Sequence, residues 1–122
     1  MHLVVIGINT YKNPKYNLNY AKADATAFKT AIENGGKDIF SSIITYSITD
    51  NEATKEGIKS VLEKVKANAT ADDLFIFYYA GHGVLDNKNE YYLVPHDVTQ
   101  LYGNDQMLNQ LAVSSSLIQL YS

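Results

Sequence analysis

Apolar positions follow two rhythms along this chain. Leu3-Val4-Val5-Ile6-Gly7-Ile8 and Leu74-Phe75-Ile76-Phe77-Tyr78-Tyr79 are runs of apolar and aromatic residues with no charge. Such runs predict strands buried on both faces, as in the middle of a parallel sheet. A further strand is expected over residues 39–48, with Ile39, Ile43, Ile44, Tyr46 and Ile48. Between the strands the spacing becomes helical. Ala21, Ala25, Phe28 and Ile32 form one stripe of a helix expected over residues 19–34, which Gly35-Gly36 should end. Ile58, Val61, Leu62 and Val65 form a second stripe, opposite Lys55, Glu56, Lys59, Glu63 and Lys66. Thr49-Asp50-Asn51-Glu52 offers capping groups for the start of that helix.

The last third is less regular. Turn residues Asp86-Asn87-Lys88-Asn89, followed by Tyr91-Tyr92-Leu93-Val94-Pro95, predict a small hairpin over residues 85–94. Residues 96–107 carry no periodic pattern, and Ser114-Ser115-Ser116 reads as the cap of a final helix. No repeat or linker divides the chain, so residues 1–122 are expected to belong to a single domain.

Strands alternating with helices predict an α/β fold of three layers, a mostly parallel sheet with helices on both faces. Right-handed crossovers place the first strand between the other two, in the order 2-1-3. The strand order then reverses between strands 1 and 3, and sites in open α/β sheets lie beyond the C-terminal strand ends at such a point. Two segments meet there: the polar loop at residues 9–17 and Ala80-Gly81-His82-Gly83. A fourth strand, which the alternation should deliver next, is missing, so the edge of strand 3 needs a cover.

Composition narrows the function classes. The net charge is −3, with 10 lysines, no arginine and no basic run, which argues against nucleic acid as a partner. No apolar run nears the roughly 20 residues that span a bilayer, so no membrane role is expected. Met1-His2-Leu3 leads straight into a strand without a signal peptide, which suggests a cytoplasmic protein, although a secreted parent could have lost its leader. The absence of cysteine excludes disulfides, thiolate metal sites and a cysteine nucleophile within these residues.

His82 is the first candidate for chemistry. Imidazole suits proton transfer near neutral pH, and the flanking glycines let the backbone turn sharply and other groups approach. Gly83, with no side chain in the way, could offer its N–H to a developing oxyanion. The alternative for His82 is a surface residue in a tight turn. Asp24 falls beside the first helical stripe, either as a capping or lysine-paired carboxylate or as a negative floor for a basic substrate group. His2 reads as a strand residue. His96-Asp97 is weak as a metal pair, and Asp86, Glu90, Asp97 and Asp105 lack the spacing of a calcium loop. No serine lies on a nucleophile elbow. Among the tyrosines, Tyr78, Tyr79, Tyr91 and Tyr92 are expected to pack around the sheet, and Tyr11, Tyr16 and Tyr20 to line the loop. A flavodoxin-like domain that binds a phosphate or a regulator is a further reading, but Asn9-Thr10-Tyr11-Lys12-Asn13-Pro14 makes a poor phosphate cradle.

Four segments together carry a resemblance: Val4-Val5-Ile6-Gly7-Ile8-Asn9-Thr10-Tyr11, Leu18-Asn19-Tyr20-Ala21-Lys22-Ala23-Asp24-Ala25, Phe75-Ile76-Phe77-Tyr78-Tyr79-Ala80-Gly81-His82-Gly83 and Tyr92-Leu93-Val94-Pro95-His96-Asp97. In this order they resemble the caspase-like cysteine peptidases, closest to the metacaspase and bacterial caspase-homologue branch. The resemblance implies the caspase-hemoglobinase fold and a Cys–His dyad acting on a peptide or protein substrate. It makes His82 the catalytic histidine, Gly83 an oxyanion donor and Asp24 an acidic residue of an S1 pocket for P1 Arg or Lys. Ala80 stands beside the pocket where many members have serine, and Ala21 where metacaspases often have cysteine. An Asp-directed pocket would need an arginine, which this chain lacks. No cofactor is expected. Many metacaspases need calcium, but the acidic cluster expected after Gly83 is thin. The catalytic cysteine should lie roughly 50 residues past the histidine, beyond Ser122. This chain then corresponds to the N-terminal, p20-like part of the domain. Its partner is a C-terminal segment with strand 4 and the cysteine, on the same parent chain or a cleaved one. The alternative is a catalytically inactive caspase-like interaction module.

Overall fold

The computed structural model describes residues 1–85, 88, 90–98 and 112–114. Strand β1 (His2–Gly7) is the centre of a three-stranded parallel sheet, flanked by β2 (Ile44–Thr49) and β3 (Phe75–Ala80) in the order β2-β1-β3. Every residue of β1 is buried, as its unbroken apolar run requires. The register pairs Gly7 with Thr49 on one side and Ala80 on the other, so the three strands end together. Among the described residues β3 lies at one edge of the sheet, as the expected order 2-1-3 requires, but all six of its residues are only half-buried rather than buried on both faces as the apolar run predicts.

Helix α1 (Ala21–Gly36) covers one face and α2 (Lys55–Asn68) the other. Alternation along β1 divides the core accordingly. Leu3 and Val5 pack with Ala25, Phe28 and Ile32, and the Phe28 ring stacks on Tyr78 with centroids 4.2 Å apart. Val4, Ile6 and Ile8 meet Ile58, Val61, Leu62 and Val65, and this is the larger core. At Gly7 the start of α1 packs tightly on the sheet. A Cβ there would lie 2.9 Å from Ala25 Cβ and 3.0 Å from Lys22 Cα.

Several boundaries move from their expected places. α1 runs through both glycines to Gly36, and no described glycine adopts a positive φ. β2 begins only at Ile44, while Ile39 lies 76% exposed in the preceding turn. The cap of α2 is Thr54, whose Oγ1 accepts the Gly57 N–H at 3.0 Å. Asp50–Glu52 forms a separate 3-10 turn, so the capping groups expected at residues 49–52 are used elsewhere. The hairpin is present as β4 (Gly83–Leu85) and β5 (Tyr91–Leu93). Ser114 does not cap a helix. It lies in β6 (Val113–Ser114), paired antiparallel with β5. The rest of the expected final helix lies outside the described residues.

Candidate active site

Asp50, Ala80, His82 and Gly83 gather at the C-terminal ends of the parallel strands. Asp50, just past β2, adopts φ of +47°, the left-handed region that Asp tolerates better than most residues. Its Oδ1 accepts the N–H of Asn9 at 2.9 Å and of Thr10 at 3.0 Å, and its Oδ2 meets Lys22 Nζ at 3.0 Å. Partial burial works to raise its pKa. The Thr10 N–H, Lys22 and the Asn9 N–H outweigh that and hold the carboxyl below its usual range. Asn9 Oδ1 in turn accepts the N–H of Lys22 in the first turn of α1 at 3.0 Å. The knot fastens β2, the loop after β1 and the start of α1 to one another.

That loop then reaches His82. Asn17 Oδ1 accepts the Tyr11 N–H at 2.8 Å, and Pro14–Tyr16 closes a 3-10 turn capped by Asn13. The Tyr16 carbonyl lies 2.8 Å from His82 Nε2. A carbonyl only accepts, so Nε2 carries the proton and Nδ1 of the neutral ring keeps its lone pair. The rings of Tyr11 and Tyr16 flank the imidazole, with centroids 5.2 and 6.0 Å away. The main chain of His82 is held as well: its N–H donates to Tyr11 Oη at 2.8 Å, and its carbonyl accepts from Tyr79 Oη at 2.7 Å. Burial raises the Tyr11 pKa against the effect of the His82 N–H. Burial, then the neighbouring Tyr11, pushes Tyr79 far above the ordinary phenol value, so both remain neutral hydroxyls.

Gly83 follows in β4. The Val94 N–H donates to the His82 carbonyl at 3.0 Å, which makes Gly83 and Leu93 a non-hydrogen-bonded pair of the ladder. The Gly83 N–H therefore points away from β5. The phenol of Tyr91 packs on the α-carbon of Gly83 where a side chain would stand.

Beside Gly81 lies an open cleft of about 400 Å³, whose walls include Tyr20, Ala21, Asp24, Tyr78, Ala80 and Tyr91. Asp24 and Ala80, taken from distant parts of the chain, both line it. Asp24 is exposed rather than tucked beside the core stripe, so its carboxylate stays solvated. Tyr20 is 74% exposed at the rim.

The other candidates have structural employment. His2 is a buried strand residue between Tyr46 Oη at 3.3 Å and Asp73 Oδ2 at 3.2 Å, at the opposite end of the sheet. His96 Nδ1 meets the Thr10 carbonyl at 2.6 Å. Among the described residues, no group of three or more acidic or histidine side chains is placed to hold a metal such as calcium. Asp86 and Asp105 lie outside those residues. No described helix is long and apolar enough to cross a membrane.

The parallel α/β sheet thus carries a histidine between two glycines at one strand end, next to a cleft with a carboxylate. The caspase domain model matches residues 2–119, and the chain belongs to that family of cysteine peptidases. The crystal structure of protein GSU0716 from Geobacter sulfurreducens shares the fold, with a TM-score of 0.68 at 17% identity. That match takes in 98% of this chain, which spans only 43% of the length of the other. No curated protein matches the sequence.

Proposed function

We propose that this chain is the histidine-bearing part of a cysteine endopeptidase that cleaves after Arg or Lys, in the manner of the metacaspase branch. The observation that supports it most is the His82 ring, tethered through Nε2–H to the Tyr16 carbonyl with Nδ1 left as the base. The cysteine comes from a segment beyond residue 122. Nδ1 takes the thiol proton, and the thiolate attacks the scissile carbonyl carbon. The Gly83 N–H stabilises the oxyanion as it forms. The imidazolium then passes its proton to the departing amine, leaving an acyl-enzyme that water hydrolyses. Asp24 faces the P1 side chain from the cleft, where a carboxylate and tyrosine walls suit a guanidinium or ammonium.

The second reading is an inactive caspase-like interaction module, separated from the first by whether a cysteine follows the next strand of the complete protein. Peptides with Arg, Lys or Asp at P1 and a fluorogenic leaving group separate the two. The complete protein should cleave the basic ones, and the 122-residue chain alone none of them. Asp24→Ala in the complete protein should lower kcat/KM on Arg peptides about tenfold, the scale of one charge-assisted contact that keeps its solvent. Equal cleavage by wild type and Asp24→Ala removes Asp24 from the pocket. A complete protein without a cysteine after its next strand removes the peptidase.

A further inference from the structure

His82 and Val94 stand opposite one another where β4 and β5 begin to pair, and only half of their ladder is direct. The Val94 N–H donates to the His82 carbonyl at 3.0 Å, but the reciprocal bond is absent. A hydrogen-bonded antiparallel pair exchanges two bonds, so the His82 N–H should reach the Val94 carbonyl. Instead it donates to Tyr11 Oη at 2.8 Å. Tyr11 Oη lies 3.4 Å from Tyr79 Oη, and Tyr79 Oη lies 3.0 Å from the Val94 carbonyl and 2.7 Å from that of His82. Two phenols, one from β3 and one from the loop after β1, are thus spliced into the ladder.

Proton counting fixes the direction. The His82 N–H must donate, so Tyr11 Oη accepts. Its own proton then turns to Tyr79 Oη, and the Tyr79 proton goes to the carbonyls. Gly81 makes room for this. A Cβ there would stand 2.6 Å from Tyr79 Oη and 2.8 Å from Tyr11 Oη. The glycines on either side of His82 leave its backbone unrestrained by neighbouring side chains. The hydroxyls supply that restraint.

We propose that Tyr11 and Tyr79 are positioning residues for His82: their hydroxyl relay fixes its main chain, so that the imidazole keeps Nε2–H on the Tyr16 carbonyl and presents Nδ1. Burial of both phenols, which keeps them protonated across the physiological range, maintains the relay. The role of His82 as base rests on the function proposed above, while the relay itself is read without activity.

The test uses the full chain labelled with ¹⁵N at its 3 histidines, with His2→Gln and His96→Gln for assignment. In the wild type, His82 should show a single tautomer with the proton on Nε2. Tyr79→Phe and Tyr11→Phe should shift both ring nitrogens toward the averaged values of a mobile imidazole, and the double variant should do no more than the stronger single one. Gly81→Ala, which breaks the relay without touching a tyrosine, should reproduce the shift and serves if a phenylalanine variant fails to fold. In the complete protein the same variants should lower kcat by about tenfold to a hundredfold with KM held, the scale of a displaced catalytic group. Folded variants with unchanged His82 shifts, or with KM altered and kcat intact, overturn the proposal. A complete protein that cleaves nothing, joined to shifts that move as stated, overturns the peptidase and keeps the relay.

Discussion

Replacing Asp50 tests whether one carboxylate organises the strand ends. Asp50→Ala strips two N–H groups and an ammonium of their acceptor. Thr10 is exposed, so water takes its N–H at little cost. Asn9 is half-buried and loses a bond to a charged group, a loss of about 1.5 kcal/mol or more. Lys22 is 44% exposed, so its ion pair contributes under about 1 kcal/mol. Alanine lacks the short polar side chain that eases the left-handed region for Asp, so at φ of +47° it adds strain of about 1 kcal/mol. Asp50→Ala should then destabilise the fold by about 3 kcal/mol, Asp50→Gly by about 2 because it relieves the strain, and Asp50→Asn by about 1 because one oxygen still accepts both N–H groups. Urea unfolding near neutral pH, followed by circular dichroism, measures the order.

A pH series adds a second check. The folded pKa of Asp50 is depressed, so between it and the unfolded value of about 3.9 the unfolded state binds more protons. The contribution of Asp50 is therefore complete above the unfolded pKa and fades as pH falls through the folded one. Asp50→Asn should lose stability less steeply over that acid window than the wild type. Alanine and glycine variants with equal midpoints would refute the strain. Parallel acid profiles for wild type and Asp50→Asn would refute the charge.

Two further substitutions probe the scaffold. Gly7→Ala places a methyl against Ala25 and Lys22 where α1 packs on β1; it should cost about 2 kcal/mol in urea unfolding and, by moving the first turn of α1, displace Asp24 and raise KM on Arg peptides in the complete protein. Leu62→Ala empties a fully buried position between α2 and the sheet; it should cost about 3 kcal/mol and lower Tm by roughly 10 °C, while the His82 nitrogen shifts stay as in the wild type.

Much of the frame was written in local pattern. The unbroken run of β1 pointed to a buried strand, and the stripe of α2 pointed its Ile58, Val61, Leu62 and Val65 to the core. Order 2-1-3 followed from crossover handedness, and the strand ends from the register of the runs. His82 and Gly83 stood out because two glycines around a histidine interrupt an apolar strand end. Asp24 was marked by its place beside the stripe of α1, Ala80 only by the family resemblance, and the fold brings both to one cleft.

Tertiary contacts decided the rest. Asp50 looked like a helix cap because a short polar side chain after a strand usually serves its own backbone. Its partners here are 28 to 41 residues away, and the cap fell to Thr54. Tyr79 alternated with Phe75 and Phe77 like any packing residue, yet a phenol oxygen buried among them needs a partner, and the nearest ones lie on the main chain of His82 and Val94. Tyr16 acts through its carbonyl, which no side-chain pattern encodes. Periodicity fixed which face each residue turns to the core, because burial is a property of one element. Which hydroxyl, carbonyl or carboxylate meets His82 and the loops around it depends on three strand ends meeting in space, and only the folded chain brings them there.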